Sequence, residues 1–95
     1  MIVRILSEGQ YRLDSSYLDQ LNALDNRLVQ VVSAGEEDQY QRLFAEMLAV
    51  VREKGSRVGE EELLESDIIL PAPDTSLKEA RGLFIGDGLI RGHTV

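Results

Sequence analysis

Two apolar stripes at helical spacing, with a glycine between them, constrain this chain more than any other feature. In the first stripe, apolar side chains recur at spacings of four and three residues: Tyr17, Leu21, Leu24, Leu28 and Val31. In the second stripe they recur at helical spacing again: Tyr40, Leu43, Phe44, Met47, Leu48 and Val51. Such spacing is typical of helices that bury one face. Because Gly35 lies between the stripes, the sequence predicts two antiparallel helices joined by a short turn.

Charged and capping residues mark the ends of these two helices. Ser16 followed by Asp19 approximates a capping box at the start of the first helix. Acids at 36–38 place negative charge where the second helix begins, and Arg52 and Lys54 place positive charge in its last turn. Both placements complement the helix dipole, so they support the same two helices.

A third, short helix is predicted near the C-terminus. Ser76 and Glu79 fit the capping-box pattern. Apolar residues follow at helical spacing: Leu77, Ala80, Leu83 and Phe84. The glycine-rich end of the chain predicts that this helix fades around Ile85.

The first fourteen residues predict a pair of strands. A β-branched run at 2–6 and an alternating run at 10–13 flank a turn. An isolated pair is marginal in water, so it must pack on the helices or pair with another strand. Pro71 excludes a helix interior at 67–70 and favours an extended Leu70. We interpret 67–70 as a short strand or extended segment, and a position beside the N-terminal strands is open to it.

Together these elements predict a helix-rich α+β fold. Its parts are an N-terminal β-hairpin, an antiparallel helical hairpin, an extended proline-containing loop with a short strand, and a short C-terminal helix. The 95 residues suffice for one domain and leave no room for a second core. We therefore expect a single domain at residues 1–90 and a C-terminal tail at residues 91–95.

The charge balance disfavours two classes of partner. Seventeen Asp and Glu against ten Lys and Arg give a net charge of −7, which opposes direct binding to nucleic acid or to an anionic membrane. The sequence has no cysteine, which fits a reducing compartment. No apolar run approaches the roughly 20 residues that span a bilayer, and the first apolar run is too short for a signal peptide. We expect a cytoplasmic protein without a transmembrane segment.

The sequence assigns no catalytic residue, cofactor or metal site. The single histidine, His93, lies beside a glycine at the end of the chain, where a solvated side chain is the favoured interpretation. The acidic run at 60–67 could attract Mg²⁺ or Ca²⁺ weakly, but it lacks the ligand pattern of an EF-hand loop. A solvated acidic loop is favoured there. The Gly-Asp-Gly at 86–88 is a very weak match to a phosphate loop.

The helical hairpin also carries apolar residues outside its narrow stripes, among them Val29, Val32 and Val50. The favoured interpretation is that the strands and the third helix cover them. The alternative is a groove that receives an amphipathic partner helix. Together with the small strand pair, these valines also allow a homo-oligomer that shares an edge strand or a helix face.

Two segments carry a resemblance to a known family. Residues 8–13 read EGQYRL, and residues 66–74 read SDIILPAPD. With MIVRI at the start, Ala-Gly at the helical turn and Gly-Leu-Ile at 88–90, the chain resembles the PspA-associated family, PspAA, over at least residues 1–90. These are small proteins found with the phage-shock protein PspA in bacteria and some archaea. The family brings no assigned catalytic residues.

The resemblance implies a role alongside PspA in the response to cell-envelope stress. PspA is a long coiled-coil, ESCRT-III-like protein that remodels membranes, so any membrane association of this chain is expected to run through that partner. The resulting hypothesis is a non-enzymatic protein-interaction module. Its candidate contact residues lie in the two segments quoted above: Gln10, Tyr11, Arg12, Asp67, Ile68, Ile69 and Leu70.

Several of these candidates have a structural alternative, and two other classes of function stay open. Tyr11, Ile68 and Ile69 are also suited to a core, and Arg12 can pair with Asp14 or Asp67. A small ligand- or metal-binding protein or enzyme would line a concave pocket with several acids of the 60–67 loop, drawn from Glu60, Glu61, Glu65 and Asp67. A transcriptional regulator is the third hypothesis, because helices after a strand pair could resemble a winged domain. The acidic balance disfavours it.

Overall fold

The computed structural model describes residues 1–59, 61–62 and 64–84. Its strands are β1 (Ile2–Ile5), β2 (Gly9–Arg12), β3 (Ser56–Arg57) and β4 (Ile68–Leu70). Its α-helices are α1 (Leu18–Ala34), α2 (Glu37–Lys54) and α3 (Leu77–Phe84), and a 3-10 turn, Ser15–Tyr17, precedes α1. The predicted helix-rich α+β fold is confirmed. The predicted fading of α3 around Ile85, the tail and His93 lie outside the described residues.

The helical hairpin turns at Gly35 as predicted. Gly35 adopts a left-handed φ of 73°, and its N–H bonds to the carbonyl oxygens at the end of α1. Side chains other than glycine pay a steric cost in this conformation. The N–H of Glu36 donates to the carbonyl of Val31 at 3.0 Å, which completes the turn. The chain therefore reverses within two residues, and the apolar stripes of α1 and α2 face each other in one core.

The sheet has the strand order β3-β2-β1-β4. β1 pairs antiparallel with β2, with Val3 opposite Tyr11, and parallel with β4, with Ile5 opposite Leu70. The short strand or extended segment predicted at 67–70 forms as the strand β4 at Ile68–Leu70, and it lies beside the N-terminal hairpin. β3 was not predicted. It contains only two residues, both exposed, so no apolar alternation could indicate it.

The alternation of side chains divides this sheet into two faces. The inner face packs on the helices and carries Val3, Ile5, Ile68 and Leu70, which are all buried in the core. The outer face carries the residues between them. Ile2 and Arg4 are half-buried there, and Ile69 is exposed.

One capping prediction is wrong and one is confirmed. Asp14 caps the 3-10 turn that precedes α1, and its Oδ1 accepts a hydrogen bond from the N–H of Ser16 at 2.8 Å. The 3-10 turn moves the start of α1 to Leu18, so Ser16 and Asp19 do not form the predicted box. At α3 the box forms as predicted. Ser76 Oγ accepts from the N–H of Glu79, and the Glu79 carboxylate accepts from the N–H of Ser76, both at 3.2 Å.

Tyr40 joins α2 to the segment before α3. Its ring is fully buried and stacks on Phe44 with ring centroids 5.6 Å apart. Its hydroxyl donates to the carbonyl oxygen of Thr75 at 2.7 Å. Burial, with smaller contributions from nearby Glu37 and Glu79, raises the pKa of Tyr40 to about 12. This contact holds the chain that follows β4 against the helical hairpin.

The valines outside the helical stripes are covered in the folded domain. Val32 and Val50 are buried in the core, and Val29 is half-buried and packs against it. α3 packs on α1 and adds the fully buried Ala80 to the same core. The interpretation that the rest of the domain covers these residues is confirmed. These valines therefore do not form the alternative groove.

Replacing the two predicted capping serines should separate their roles. Ser76→Ala removes the acceptor for the first turn of α3 and should lower the free energy of unfolding by about 1 kcal/mol. Ser16→Ala should change it much less, because the Asp14 carboxylate accepts the bond at that end. Urea unfolding followed by circular dichroism measures both. Equal losses from the two variants would contradict the capping assignments.

Candidate functional site

The turn between β1 and β2 has a strained backbone that only certain residues accept. Ser7 has a φ of 68° and Gly9 a φ of 136°. A Cβ at Gly9 would lie 2.8 Å from Nη2 of Arg57, so a larger residue would collide with that side chain. The same Nη2 donates to the carbonyl oxygen of Glu8. Gly9 therefore admits the arginine that ties β3 to the turn.

The Glu8 carboxylate is the centre of a polar cluster at this turn, formed with Tyr11, Arg52 and Arg57. Arg52 donates through Nε to Oε2 at 2.8 Å and through Nη2 to Oε1, and Tyr11 donates its hydroxyl to Oε2 at 2.6 Å. The hydrogen bond from Arg52, followed by the one from Tyr11, holds the pKa of Glu8 at about 2. The Glu8 bond also raises the pKa of Tyr11. The Glu8 cluster thus joins the turn to the last turn of α2.

Arg57 completes the Glu8 cluster from the other side. Its guanidinium lies 5.5 Å from the centre of the Tyr11 ring, within the range of a cation–π interaction. Tyr11 itself is buried, with 8% of its surface exposed. Because the hydroxyl and the ring of Tyr11 both have partners within the domain, its main role is to fix the sheet against α2.

Gln10 holds the loop that follows β3 over the outer face of the sheet. Its side chain is buried, and Nε2 donates to the carbonyl of Leu64 at 2.8 Å and to Oγ of Ser66 at 2.9 Å. The backbone carbonyl of Gln10 accepts from the N–H of Val58 at 3.0 Å. Both ends of this loop are therefore anchored to one residue of β2.

A cavity of about 530 Å³ lies between this loop and the sheet. Arg4 and Arg57 contribute positive charge to its lining, and Glu8, Glu62 and Glu65 contribute negative charge. Of the acids at 60–67 that were predicted to surround a pocket, Glu65 lines this cavity, whereas Glu61 and Asp67 do not, and Glu60 lies outside the described residues. Among the described residues no three carboxylate or histidine side chains are grouped so as to hold a metal ion.

The predicted contact residues lie on one sheet but not on one surface. The buried residues are Gln10, Tyr11, Ile68 and Leu70. The exposed residues are Arg12, Asp67 and Ile69. A single face that presents all seven does not form.

The exposed members of the predicted set are held in different ways. Arg12 pairs with Glu62 at 3.5 Å, rather than with Asp14 or Asp67. Asp67 accepts from the N–H of Ile2 through Oδ2 at 2.7 Å. The side chain of Ile69 is a hydrocarbon and is 50% exposed. Ile69 is therefore the member of the set that offers apolar surface.

The structure adds residues to Ile69 that the sequence did not indicate. Leu6 is 46% exposed and follows β1, and its N–H donates to the carbonyl of Leu70 at 3.0 Å. Arg4 lies opposite Ile69 in the β1–β4 register. We call Ile2, Arg4, Leu6 and Ile69 the outer patch. Alternation along 2–6 places Ile2, Arg4 and Leu6 on one face, but only the parallel pairing with β4 brings Ile69 beside them.

The fold and this surface define a small helix-rich α+β domain whose exposed large apolar side chains, among the described residues, lie on the outer face of the sheet on either side of Arg4. The family described as PspA-associated protein matches residues 1–92. The chain belongs to that family. No curated protein and no solved structure matches it. In the described part of the chain, no helix has the length and apolar character to cross a membrane.

The Glu8 cluster predicts an acid-dependent loss of stability. A carboxylate with a lowered pKa stabilises the folded state above the ordinary glutamate pKa of about 4.3, and this contribution disappears as the pH falls through the folded-state value. For Glu8 the folded-state value is about 2. Glu8→Gln should therefore destabilise the domain at neutral pH and flatten the stability curve between roughly pH 5 and pH 2.

Urea unfolding across this pH range measures the effect, and Glu53→Gln is a suitable control because Glu53 is an exposed acid of α2, next to Arg52 in the chain. For Glu53→Gln, the free energy of unfolding should change with pH as steeply as it does for the wild type. Parallel curves for wild type and Glu8→Gln would show that the cluster does not stabilise the fold through its charge.

Proposed function

We propose that this chain is a non-enzymatic interaction module that associates with PspA in the response to envelope stress. The observation that carries the proposal is membership of the PspA-associated family over residues 1–92. The family name states an association and assigns no reaction. Association with a partner is therefore the function that family membership supports for this domain.

The exposed apolar surface supports an interaction role. Leu6 and Ile69 are the large hydrophobic side chains with high exposure in the described part of the chain. Leu6 directly follows β1, and Ile69 lies on β4 opposite Arg4, which is two residues before Leu6. Scattered apolar residues are ordinary on a protein surface, but adjacent ones provide a place where a partner gains by excluding water. The two side chains lie on the face that α1 and α2 leave uncovered.

The state of the Glu8 carboxylate supports a non-enzymatic role. A strongly shifted pKa is a common sign of a catalytic acid or base. Here the shift lowers the pKa of Glu8 to about 2, and bonds from Arg52 and Tyr11 cause it. Such a carboxylate stays ionised and committed to its two partners, which suits a structural role better than proton transfer near neutral pH.

A site for a small ligand in the 530 Å³ cavity is a weaker proposal. The Glu62 carboxylate on its wall is paired with Arg12, and Glu8 is paired with Arg52. The remaining lining mixes both signs of charge, which selects no single class of ligand. A mixed lining of this kind fits a hydrated gap under the 58–66 loop.

We further propose that the chain works in the cytoplasm and reaches the membrane through PspA. The net charge of −7 disfavours direct adhesion to anionic lipid. A partner that binds the membrane removes this obstacle, because the acidic domain then stays clear of the lipid surface.

Direct titration tests the proposed association. Calorimetric titration of the folded domain into PspA from the same genome should give saturable binding at micromolar concentrations. An unrelated long coiled-coil protein of similar charge is the control for non-specific helix binding, and it should give no heat of binding. No binding to PspA at tens of micromolar by a folded sample would contradict the proposal.

A further inference from the structure

The outer patch is an ordered row rather than a chance exposure. Arg4 is the central residue, with Ile2 and Leu6 two positions away on either side along the chain and Ile69 opposite it on β4. Backbone hydrogen bonds at both ends hold this row of residues in place. The N–H of Leu6 bonds to the carbonyl of Leu70, and the N–H of Asp67 bonds to the carbonyl of Ile2 at 2.8 Å.

Arg4 differs from the other arginines near this sheet. Arg12 pairs with Glu62, Arg52 pairs with Glu8, and Arg57 bonds to the backbone of the turn and lies against Tyr11. Arg4 is half-buried, and it forms no ion pair with any residue in the described part of the chain. The Arg4 guanidinium, without an ion pair among the described residues, lies between the apolar side chains of the patch and the cavity under the 58–66 loop. It favours an acidic group on whatever covers the patch.

The dimensions of the patch suit a helix. Its length from residue 2 to residue 6 is about 13 Å, and its two strands lie about 5 Å apart. An α-helix is about 10 Å wide and rises 5.4 Å per turn, so two to three turns cover the patch. Addition of a strand at the β4 edge is less suitable, because β4 has three residues and Pro71 follows at once.

We propose that the outer patch binds an amphipathic helix whose apolar stripe contacts Leu6 and Ile69 and whose acidic side chain pairs with Arg4. The inference rests on the proposed association with PspA and deepens it by naming the contact surface and the chemistry of the partner helix. Specificity comes from Arg4, since an apolar stripe without an acid at this position leaves the guanidinium covered and unpaired.

Titration of PspA with two patch variants tests the surface. Arg4→Glu reverses the central charge, and Ile69→Thr removes apolar area but keeps a β-branched residue in the strand. Each should weaken binding by about tenfold or more. The matched controls are Arg42→Glu and Ala45→Thr on the exposed side of α2, and both should stay within about twofold of wild type.

A charge exchange between the two proteins then identifies the acidic residue of PspA that pairs with Arg4. Replacing acidic residues of PspA one at a time by arginine should yield one variant that restores binding to Arg4→Glu and does not restore binding to Ile69→Thr. Leu6→Ser provides a second test outside the β1 strand, so the surface stays testable even if a strand variant unfolds. Circular dichroism and thermal unfolding confirm that each protein is folded.

Each outcome has a defined meaning. If the folded Arg4→Glu, Ile69→Thr and Leu6→Ser proteins all bind PspA with wild-type affinity, the outer patch is not the contact surface. The proposed association with PspA is not affected by that result. Absence of binding by the wild type would remove the association and the surface together. A wild-type dimer in light scattering that Ile69→Thr converts to monomer would show that a second copy covers the patch, which also overturns the inference.

Discussion

The parallel pairing of β1 with β4 is the interaction on which the rest of the domain depends. It joins segments more than sixty residues apart, and Asp67 fixes the register with two bonds to Ile2. Its N–H donates to the Ile2 carbonyl at 2.8 Å, and its Oδ2 accepts from the Ile2 N–H at 2.7 Å. This register places Ile68 and Leu70 in the core and leaves Ile69 outside. A slip of one residue would invert that arrangement and bury the wrong side chains.

The two segments that carry the family resemblance meet in this sheet. Gln10 of the first segment donates to Ser66 of the second, and Gly9 makes room for Arg57 beside the turn. Much of what looks like a recognition motif in the sequence therefore holds the domain together. In a sequence, two short polar segments far apart in the chain can form either a binding site for a partner or a contact with each other. Only the folded structure, which shows whether the two segments touch, distinguishes these cases.

Local signals predicted the helices well and the sheet only in part. Periodicity and Gly35 sufficed for the α-hairpin, because its contacts lie close in sequence, and Pro71 marked the end of β4. β3 was missed because its two exposed residues are held by pairing with β2, and that pairing depends on where the C-terminus of α2 points. Ser16 was misassigned because a 3-10 turn, which has no distinct sequence signature, shifted the start of α1.

The contact residues were hardest to predict because burial within a strand depends on register. Four of the seven candidates are buried, while Arg4 and Leu6 lie on the exposed face of the same short sheet. Apolar side chains at a sheet edge also carry a risk of self-association. Here the central charge of Arg4, the shortness of β4 and the proline after it all oppose pairing with another copy. The same features leave Leu6 and Ile69 available to a partner that brings its own acid, so one arrangement limits aggregation and defines what can bind.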